Sequence, residues 1–513
     1  MILINSSPKD ALKIFQPFLP IFVPVGIGFL LSALEEKGVN ALYVDEQVED
    51  DTFGKIKELV KGREKPYIFG FSVLTAAFKS SIVLSKKLKD LYPDSIVVFG
   101  GTHPTANPDE VLSYDHIDIV VRGEGECILP DLYKCLKAKA SYEHIQSISY
   151  RKDGKVTHNN KAPILKNLDE YPAFPYHRFV HEKKYDLGFI VSSRGCPYEC
   201  IFCSNRVTTN KAYRYRSAES VLNELELLSS KYKQKYVLFL DDNFLVNKER
   251  ISVLAEGIKA RGLDKKMSFN FQARGDNVNY ELLKILYDAN FKSIFFGIET
   301  ASNRLLKIVK KGETIEEIID AVKMSKKIGF HVSATFIYGL PTETHKDRVS
   351  SMDLSRDLDI DMVRFNNATP YPGTELYEIA KKENKLYVQG LYENFNSVST
   401  FIENPFKKIP FSYIPDGNSE AKIRSDILLS YLLFYLNFKK IKKVFNNPDQ
   451  GVGWFNAGEK IFEMIRKLPS IITLGFLLSI KFIEFLFNIL IGKDTDVSLK
   501  YLIKNIIVQK GKL

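Results

Sequence analysis

Ser193-Arg-Gly-Cys196-Pro-Tyr-Glu-Cys200-Ile-Phe-Cys203-Ser204 is the stretch on which the reading of this chain turns. Three thiols spaced C-x-x-x-C-x-x-C can hold three irons of a 4Fe–4S cubane and leave the fourth iron open to a small chelating molecule. Thiolate is the soft ligand such clusters require. Structural zinc fits less well, because it wants a fourth Cys or His. The nearest histidine before the triad is His181, and none follows until His331. A disulfide pair plus a free thiol does not suit a chain with 5 cysteines and no secretory leader. Buried, inert cysteines are the remaining alternative. Cys127 and Cys135 lie apart from the triad and are too few for a second cubane, so one cluster is expected.

Downstream of the triad's own strand, strand and helix alternate. Strands are predicted at Gly188–Ser192, Tyr236–Leu240, Ser268–Gln272, Ser293–Gly297, Val332–Tyr338 and Met362–Asn366. Helices are predicted at Ala218–Tyr232, Asn247–Ala260, Tyr280–Ala289, Thr314–Ile328 and Arg348–Leu358. Upstream, residues 1–140 show a similar alternation, with strands at Ile2–Ile4, Ala41–Val44, Ile68–Ser72, Ile96–Phe99 and Ile119–Val121. That pattern predicts an α/β domain: a doubly wound, flavodoxin-like parallel sheet with helices on both faces. Between the two regions, residues 141–186 read as a hairpin around Asp153-Gly154 and an irregular linker punctuated by Pro163, Pro172 and Pro175.

The triad spacing, with aromatic Phe202 directly before its third cysteine, resembles the radical S-adenosylmethionine (SAM) superfamily. The resemblance implies a central partial (β/α)6 barrel over residues 187–385 and chelation of the open iron by the amino and carboxylate groups of SAM. One electron from the cluster then cleaves SAM to methionine and a 5′-deoxyadenosyl radical that removes hydrogen from a substrate. The cofactor carries the hard chemistry and the protein orients it. In barrels, chemistry sits at the C-terminal strand ends. The resemblance places Asp241 of Leu240-Asp-Asp-Asn-Phe by the SAM amino group and Arg274, with its paired donors, by the carboxylate. It places Glu299 of Phe296-Gly-Ile-Glu-Thr by the ribose, and Tyr338-Gly-Leu-Pro-Thr-Glu343 near the adenine. Polar caps and salt bridges at strand ends are the alternative for each.

Two loops of the first domain resemble a cobalamin-binding domain: Ser72-Val-Leu74 matches an S-x-L element and Gly100-Gly101 a G-G element, with 25 residues between them. His103-Pro-Thr and Arg122-Gly-Glu124-Gly-Glu126 follow. Together they resemble the N-terminal domain of cobalamin-dependent radical SAM enzymes. The resemblance implies cobalamin held by Ser72, Leu74, Gly100 and Gly101; a domain that kept the fold and lost the cofactor is the alternative. The element D-x-H-x-x-G, whose His ligates cobalt in relatives, is absent, since the Phe18–Gly28 loop has neither Asp nor His. His103 is the nearest substitute, and a hydrogen-bonding role for it is the alternative.

Residues 386–513 predict a mainly helical region. Net charge is +10, and from residue 420 onward 15 Lys and Arg face 8 Asp and Glu. The excess therefore sits away from the cluster, where a solvated helical face explains it. Ala421–Phe445 reads as a helix closing on Lys439-Lys440 and Lys442-Lys443. Ser470–Ile491 is long enough to span a bilayer, but Lys481 and Glu484 near its middle are costly there. A buried helix, an interfacial helix and a span all stay open.

These readings predict a cobalamin-dependent radical SAM enzyme that methylates an unactivated carbon of a small-molecule or lipid-like substrate, with a flavodoxin or ferredoxin as electron donor. An oxidative cyclase or rearranging enzyme without methyl transfer is the alternative, and a cobalamin sensor with a vestigial barrel is the non-enzyme reading. Radical methylthiolation of RNA would want more cysteines in the first domain and a C-terminal β-barrel, so a nucleic-acid partner is not expected. Met1-Ile-Leu-Ile-Asn-Ser-Ser lacks a basic start and a cleavage site, so a cytoplasmic protein is expected, with membrane association open through the C-terminal region.

Overall fold

Short runs rich in Ile, Val and Phe become the central strands of two sheets, one parallel and one parallel with an antiparallel edge. The computed structural model describes residues 1–8, 21–180, 185–209, 211–402, 406–435, 461–492, 495–497 and 500–502. Three sequence expectations lie outside the described residues: the start of the Phe18–Gly28 loop, His181, and the end of the 421–445 helix with its lysines.

The first sheet contains β1 (Ile2–Asn5), β2 (Leu42–Asp45), β3 (Ile68–Ser72), β4 (Ile96–Gly100), β5 (Ile119–Val121), β6 (Ile148–Lys152) and β7 (Lys155–His158). Their order is β2-β1-β3-β4-β5-β6-β7. β1 to β5 run parallel, and β6 and β7 add antiparallel. This is the doubly wound flavodoxin-like order, whose ligand crevice opens where the strand order reverses, between β1 and β3. Helix α1 (Val25–Glu36) follows β1 and α2 (Phe78–Leu91) follows β3. The hairpin expected in the linker instead extends this sheet. Asp153 at φ 50° and Gly154 at φ 76° supply the left-handed pair a tight hairpin turn needs.

The second sheet holds β8 (Phe189–Ile190), β9 (Tyr236–Phe239), β10 (Ser268–Ala273), β11 (Phe291–Glu299), β12 (His331–Tyr338) and β13 (Met362–Asn367). All six are parallel and lie in chain order, as a partial β/α barrel requires. The helices between them are α3 (Ala218–Ser230), α4 (Lys248–Ala260), α5 (Tyr280–Asp288), α6 (Ile315–Ile328) and α7 (His345–Asp357). Ser217, Asn247, Asn279, Thr314 and Thr344 start them, each accepting the backbone N–H three residues on. Ile294, Phe296, Ala334, Phe336, Val363 and Phe365 pack into one core under the helices. The alternate residues of each strand face the lumen.

After the barrel the chain returns to the first sheet, where Tyr392 and Phe395 join its core. Helix α8 (Glu420–Tyr435) closes the barrel's free edge. The Tyr435 hydroxyl accepts from Val363 N at 3.1 Å and donates to its carbonyl at 2.8 Å, and the Tyr431 hydroxyl accepts from Phe365 N at 3.1 Å. Edge groups that would otherwise template a foreign strand are thereby satisfied. In helix α9 (Ile461–Ile491), the Leu468–Ile491 stretch is long and apolar enough to cross a membrane by length and composition, and 17% of it is buried. One face packs Phe485 and Ile489 beside α8, while Ile472, Phe476, Ile483, Phe487 and Leu490 are exposed. The two interrupting charges are both engaged: Lys481 donates to Thr400 O at 2.7 Å, and Glu484 pairs with Lys408 at 2.6 Å.

A candidate active site between the two sheets

A cavity of about 630 Å³ runs between the carboxyl ends of the first sheet's strands and the start of the barrel. Ser72, Leu74, Gly100 and Gly101 line it from one side; Val191, Ser193, Gly195, Leu240 and Asp242 line it from the other. Gly101 has φ +101°, and a Cβ there would stand 2.8 Å from Val73 O and 2.9 Å from Val73 N. Only glycine keeps that wall of the cavity in place. Leu74 projects with its side chain exposed. The cavity's small and apolar strand ends, and its size, fit a large planar cofactor such as a corrin.

His103 is not part of this lining. It is buried, its Nδ1 lies 3.3 Å from Thr75 Oγ1, and its ring centroid is 4.2 Å from that of Phe78 and 4.9 Å from that of Tyr392. Burial pushes its pKa down to about 3. The structure thus gives His103 a packing and hydrogen-bonding role and removes it as a substitute cobalt ligand.

The cysteine loop leaves β8 through the short strand Ser193–Arg194 and turns at Gly195. That glycine's φ is +84°, and a Cβ would meet Ala212 O at 2.1 Å. Ile201 N donates to Val309 O at 3.0 Å and Leu376 N to Ile201 O at 2.9 Å, so the middle of the loop is pinned to the barrel rim. Phe202 packs beside Leu340 and Ala368 in a small satellite core. Cys196, Cys200 and Cys203 are half-buried, and burial raises all three thiols, Cys203 to about 12. Among the described residues no three His, Cys, Asp or Glu side chains converge on a point that a single ion could fill. Three thiols on one loop suit a cluster, where each meets its own iron.

Beside Cys200 lies a buried charge cluster. Arg274 pairs with Asp276 through Nε at 3.0 Å and Nη2 at 2.8 Å, donates through Nη1 to Lys311 O at 2.5 Å, and stacks 3.5 Å from the Tyr198 ring centroid. Lys311 Nζ lies 3.1 Å from Glu299 Oε1 and 3.5 Å from Glu313 Oε1. Burial alone would lower the Lys311 pKa, but Glu299 and Glu313 hold it above its usual range. Glu299 sits at φ 65°, strained for a residue with a side chain, where the β11–β12 register slips. Its Oε2 is buried and has no hydrogen-bond donor. Three carboxylates against two cations leave one negative charge, which complements the net single positive charge of SAM. An unpaired buried carboxylate oxygen likewise fits a ligand that brings hydroxyl donors.

The other sequence-predicted site residues divide. Asp241 is buried with both oxygens engaged: Ser192 N donates at 2.7 Å, Ser192 Oγ at 2.6 Å and Ser193 Oγ at 2.7 Å. It fixes the entry to the cysteine loop and has no oxygen free of protein donors. Its neighbour Asp242 is the one that lines the cavity, where it accepts from Gly195 N at 3.1 Å and from Asn205 Nδ2. Burial and the adjacent Asp241 push Asp242 up to about 6. Sequence reasoning missed the bridge between the two halves. Arg194 pairs with Glu126 at 2.7 Å and Glu124 at 3.4 Å, and Arg214 with Glu124 at 2.5 Å. The Gly-Glu-Gly-Glu run was its only sequence signal.

Residues 190–355 match the Radical SAM superfamily, and residues 16–133 match the B12 binding domain. Over 430 residues the chain is 34% identical to the uncharacterized methyltransferase PH0819 of Pyrococcus horikoshii, covering 83% of this chain and 90% of that protein. It is 24% identical over 446 residues to the anaerobic magnesium-protoporphyrin IX monomethyl ester cyclase of Cereibacter sphaeroides, covering 84% of this chain and 69% of that one. Among solved structures, the radical SAM methyltransferase TsrM of Kitasatospora setae superposes with a TM-score of 0.63 at 20% identity, over 74% of this chain and 76% of that chain. The cobalamin-dependent SAM radical enzyme OxsB superposes with a TM-score of 0.61 at 23% identity, over 77% of this chain and 56% of that chain. The chain therefore belongs to the radical SAM enzymes that carry an N-terminal B12-binding domain. A 4Fe–4S cluster, SAM and cobalamin are the cofactors of that class, and the family and fold class expected from the sequence are borne out.

Proposed function

We propose that this enzyme methylates an unactivated carbon of a small or lipid-like molecule. The cavity that both halves line is the observation that carries the reading, because it sets the cobalamin loops against Ser193, Gly195 and Asn205, which flank the cysteine triad. Methyltransferases recur among the relatives, PH0819 and the hopanoid C-3 methylase of Methylococcus capsulatus among them. The cluster with SAM supplies the hydrogen-abstracting radical, and cobalamin supplies a methyl carrier.

In this reading Cys196, Cys200 and Cys203 hold three irons and Phe202 braces their loop. Glu299 offers its free Oε2 to the ribose hydroxyls. Arg274 acts as a positioning residue, holding Asp276 and the Lys311 carbonyl in place. Asp242, rather than Asp241, is the carboxylate facing a bound ligand. Ser72, Leu74, Gly100 and Gly101 seat the corrin. A flavodoxin or ferredoxin would supply the electron. The exposed apolar face of α9 supports contact with a lipid surface, which flotation with phospholipid vesicles tests.

Anaerobic turnover of the reconstituted protein with reductant, a metabolite extract and SAM deuterated in its methyl group decides the reaction. One SAM gives up the methyl and a second removes the hydrogen, so S-adenosylhomocysteine and 5′-deoxyadenosine should appear in equal amounts with a labelled product. 5′-Deoxyadenosine without S-adenosylhomocysteine would favour the cyclase reading, which the likeness to the Cereibacter cyclase supports. No 5′-deoxyadenosine at all would favour the sensor.

A further inference from the structure

The lumen face of the second sheet carries a cation that no described acid answers. Val363 and Phe365 of β13 pack into the core, so Arg364 and Asn366 face the lumen. Arg364 is exposed and stands 5.8 Å from the Phe295 ring centroid, leaning across β12 toward β11. Among the described residues it has no ion pair. Asn366 donates to Thr335 Oγ1 at 3.1 Å, while its own Oδ1 is buried and unpartnered. The register pairs Arg364 with Thr335 and Thr335 with Gly297. A Cβ on Gly297 would meet Glu299 Oε1 at 2.5 Å and Lys311 Nζ at 3.1 Å. The Arg364 backbone thus lies two strands, about 10 Å, from Gly297, whose open side abuts the Glu299–Lys311 pair.

We propose that this face binds substrate, with Arg364 holding a carboxylate or phosphate of it and Asn366 Oδ1 accepting from a neighbouring donor group. Phe295, Ile337 and Leu240 offer the apolar surface for the rest of the molecule. The planar guanidinium matches either oxyanion through two parallel N–H bonds, which a neutral lumen would not provide. This inference rests on the functional reading above and adds the class of substrate: an amphipathic organic acid or phosphate ester.

The test titrates the reconstituted full-length protein with three probes that share one chain: octanoate, octyl phosphate and octanol. At least one anion should bind ten times or more tighter than octanol, and the tighter of the two names the oxyanion. Arg364→Gln should weaken the anion tenfold or more and octanol less than twofold, with Arg364→Lys recovering part of the loss. Anion binding that survives Arg364→Gln, as it would on the apolar face of α9, overturns the proposal. Should Arg364→Gln not fold, the wild-type comparison decides, and octanol bound as well as both anions overturns it. Wild-type SAM cleavage, scored separately, fails only if the functional reading fails.

Discussion

The first domain meets the shared cavity at its strand ends with Gly70, Ser72, Leu74, Gly100 and Gly101, groups that clear space, while its Glu124 and Glu126 are tied up in ion pairs with Arg194 and Arg214. The barrel meets it with Ser193, Gly195, Leu240 and Asp242, and Cys200 of its thiol loop stands beside Arg274, Asp276, Glu299, Lys311 and Glu313, three acids against two cations. One half is shaped for a bulky cofactor held by fit. The other carries one net negative charge, suited to a small ligand of net positive charge. Separate failures should follow when each half is damaged, and that independence is what the following variants probe.

The largest effect is expected from Cys203→Ala. Iron content and SAM cleavage should fall by about a hundredfold or more while cobalt content holds; metal analysis with chromatography of SAM products checks this. Cobalt lost together with iron would break the comparison. Gly101→Ala should do the opposite. The left-handed backbone and the contacts with Val73 leave no place for a Cβ, so cobalamin occupancy should drop severely with iron retained. The fold should also lose more than about 1 kcal/mol, read from denaturant unfolding.

Glu299→Gln keeps the side-chain shape and removes the charge that faces Lys311. SAM affinity should weaken about tenfold, or about 1.4 kcal/mol, by equilibrium binding. The smallest effect sharpens the boundary of the corrin side. His103→Gln should leave the cobalt content and the visible spectrum of bound cobalamin unchanged, because His103 lies outside the cavity. It should instead change acid stability. The folded pKa of His103, about 3 against 6.5, means that the unfolded chain binds the extra proton between those values. Wild-type stability is therefore full above about pH 6.5 and is lost as pH falls below it, by at most about 1.4 kcal/mol per unit. His103→Gln should flatten that slope in melting curves.

Much of this was legible in the sequence for physical reasons. Period-two and helical patterns are local, so both sheets and most helix starts could be read from runs such as Ser268–Gln272 or from the cap at Thr314. The triad was legible because cluster ligation fixes its spacing. Pairwise geometry was not. Asp241 and Asp242 are chemically identical neighbours, and only the fold reveals that Ser192 and Ser193 saturate the first. The bridge from Arg194 to Glu124 and Glu126 spans residues distant in sequence. The hairpin's union with the first sheet depends on which edge was vacant. Arg364 read as one more strand residue until the register set it opposite Thr335 in the lumen.

The central claim is that one chain holds both cofactors across one cavity. Iron and cobalt should be counted after anaerobic purification with iron, sulfide and hydroxocobalamin supplied. About four irons and one cobalt per chain is the expected result. Iron without cobalt would contradict the claim by reducing the first sheet to a relic, and cobalt without iron would contradict it by leaving a corrin-binding protein with an empty barrel.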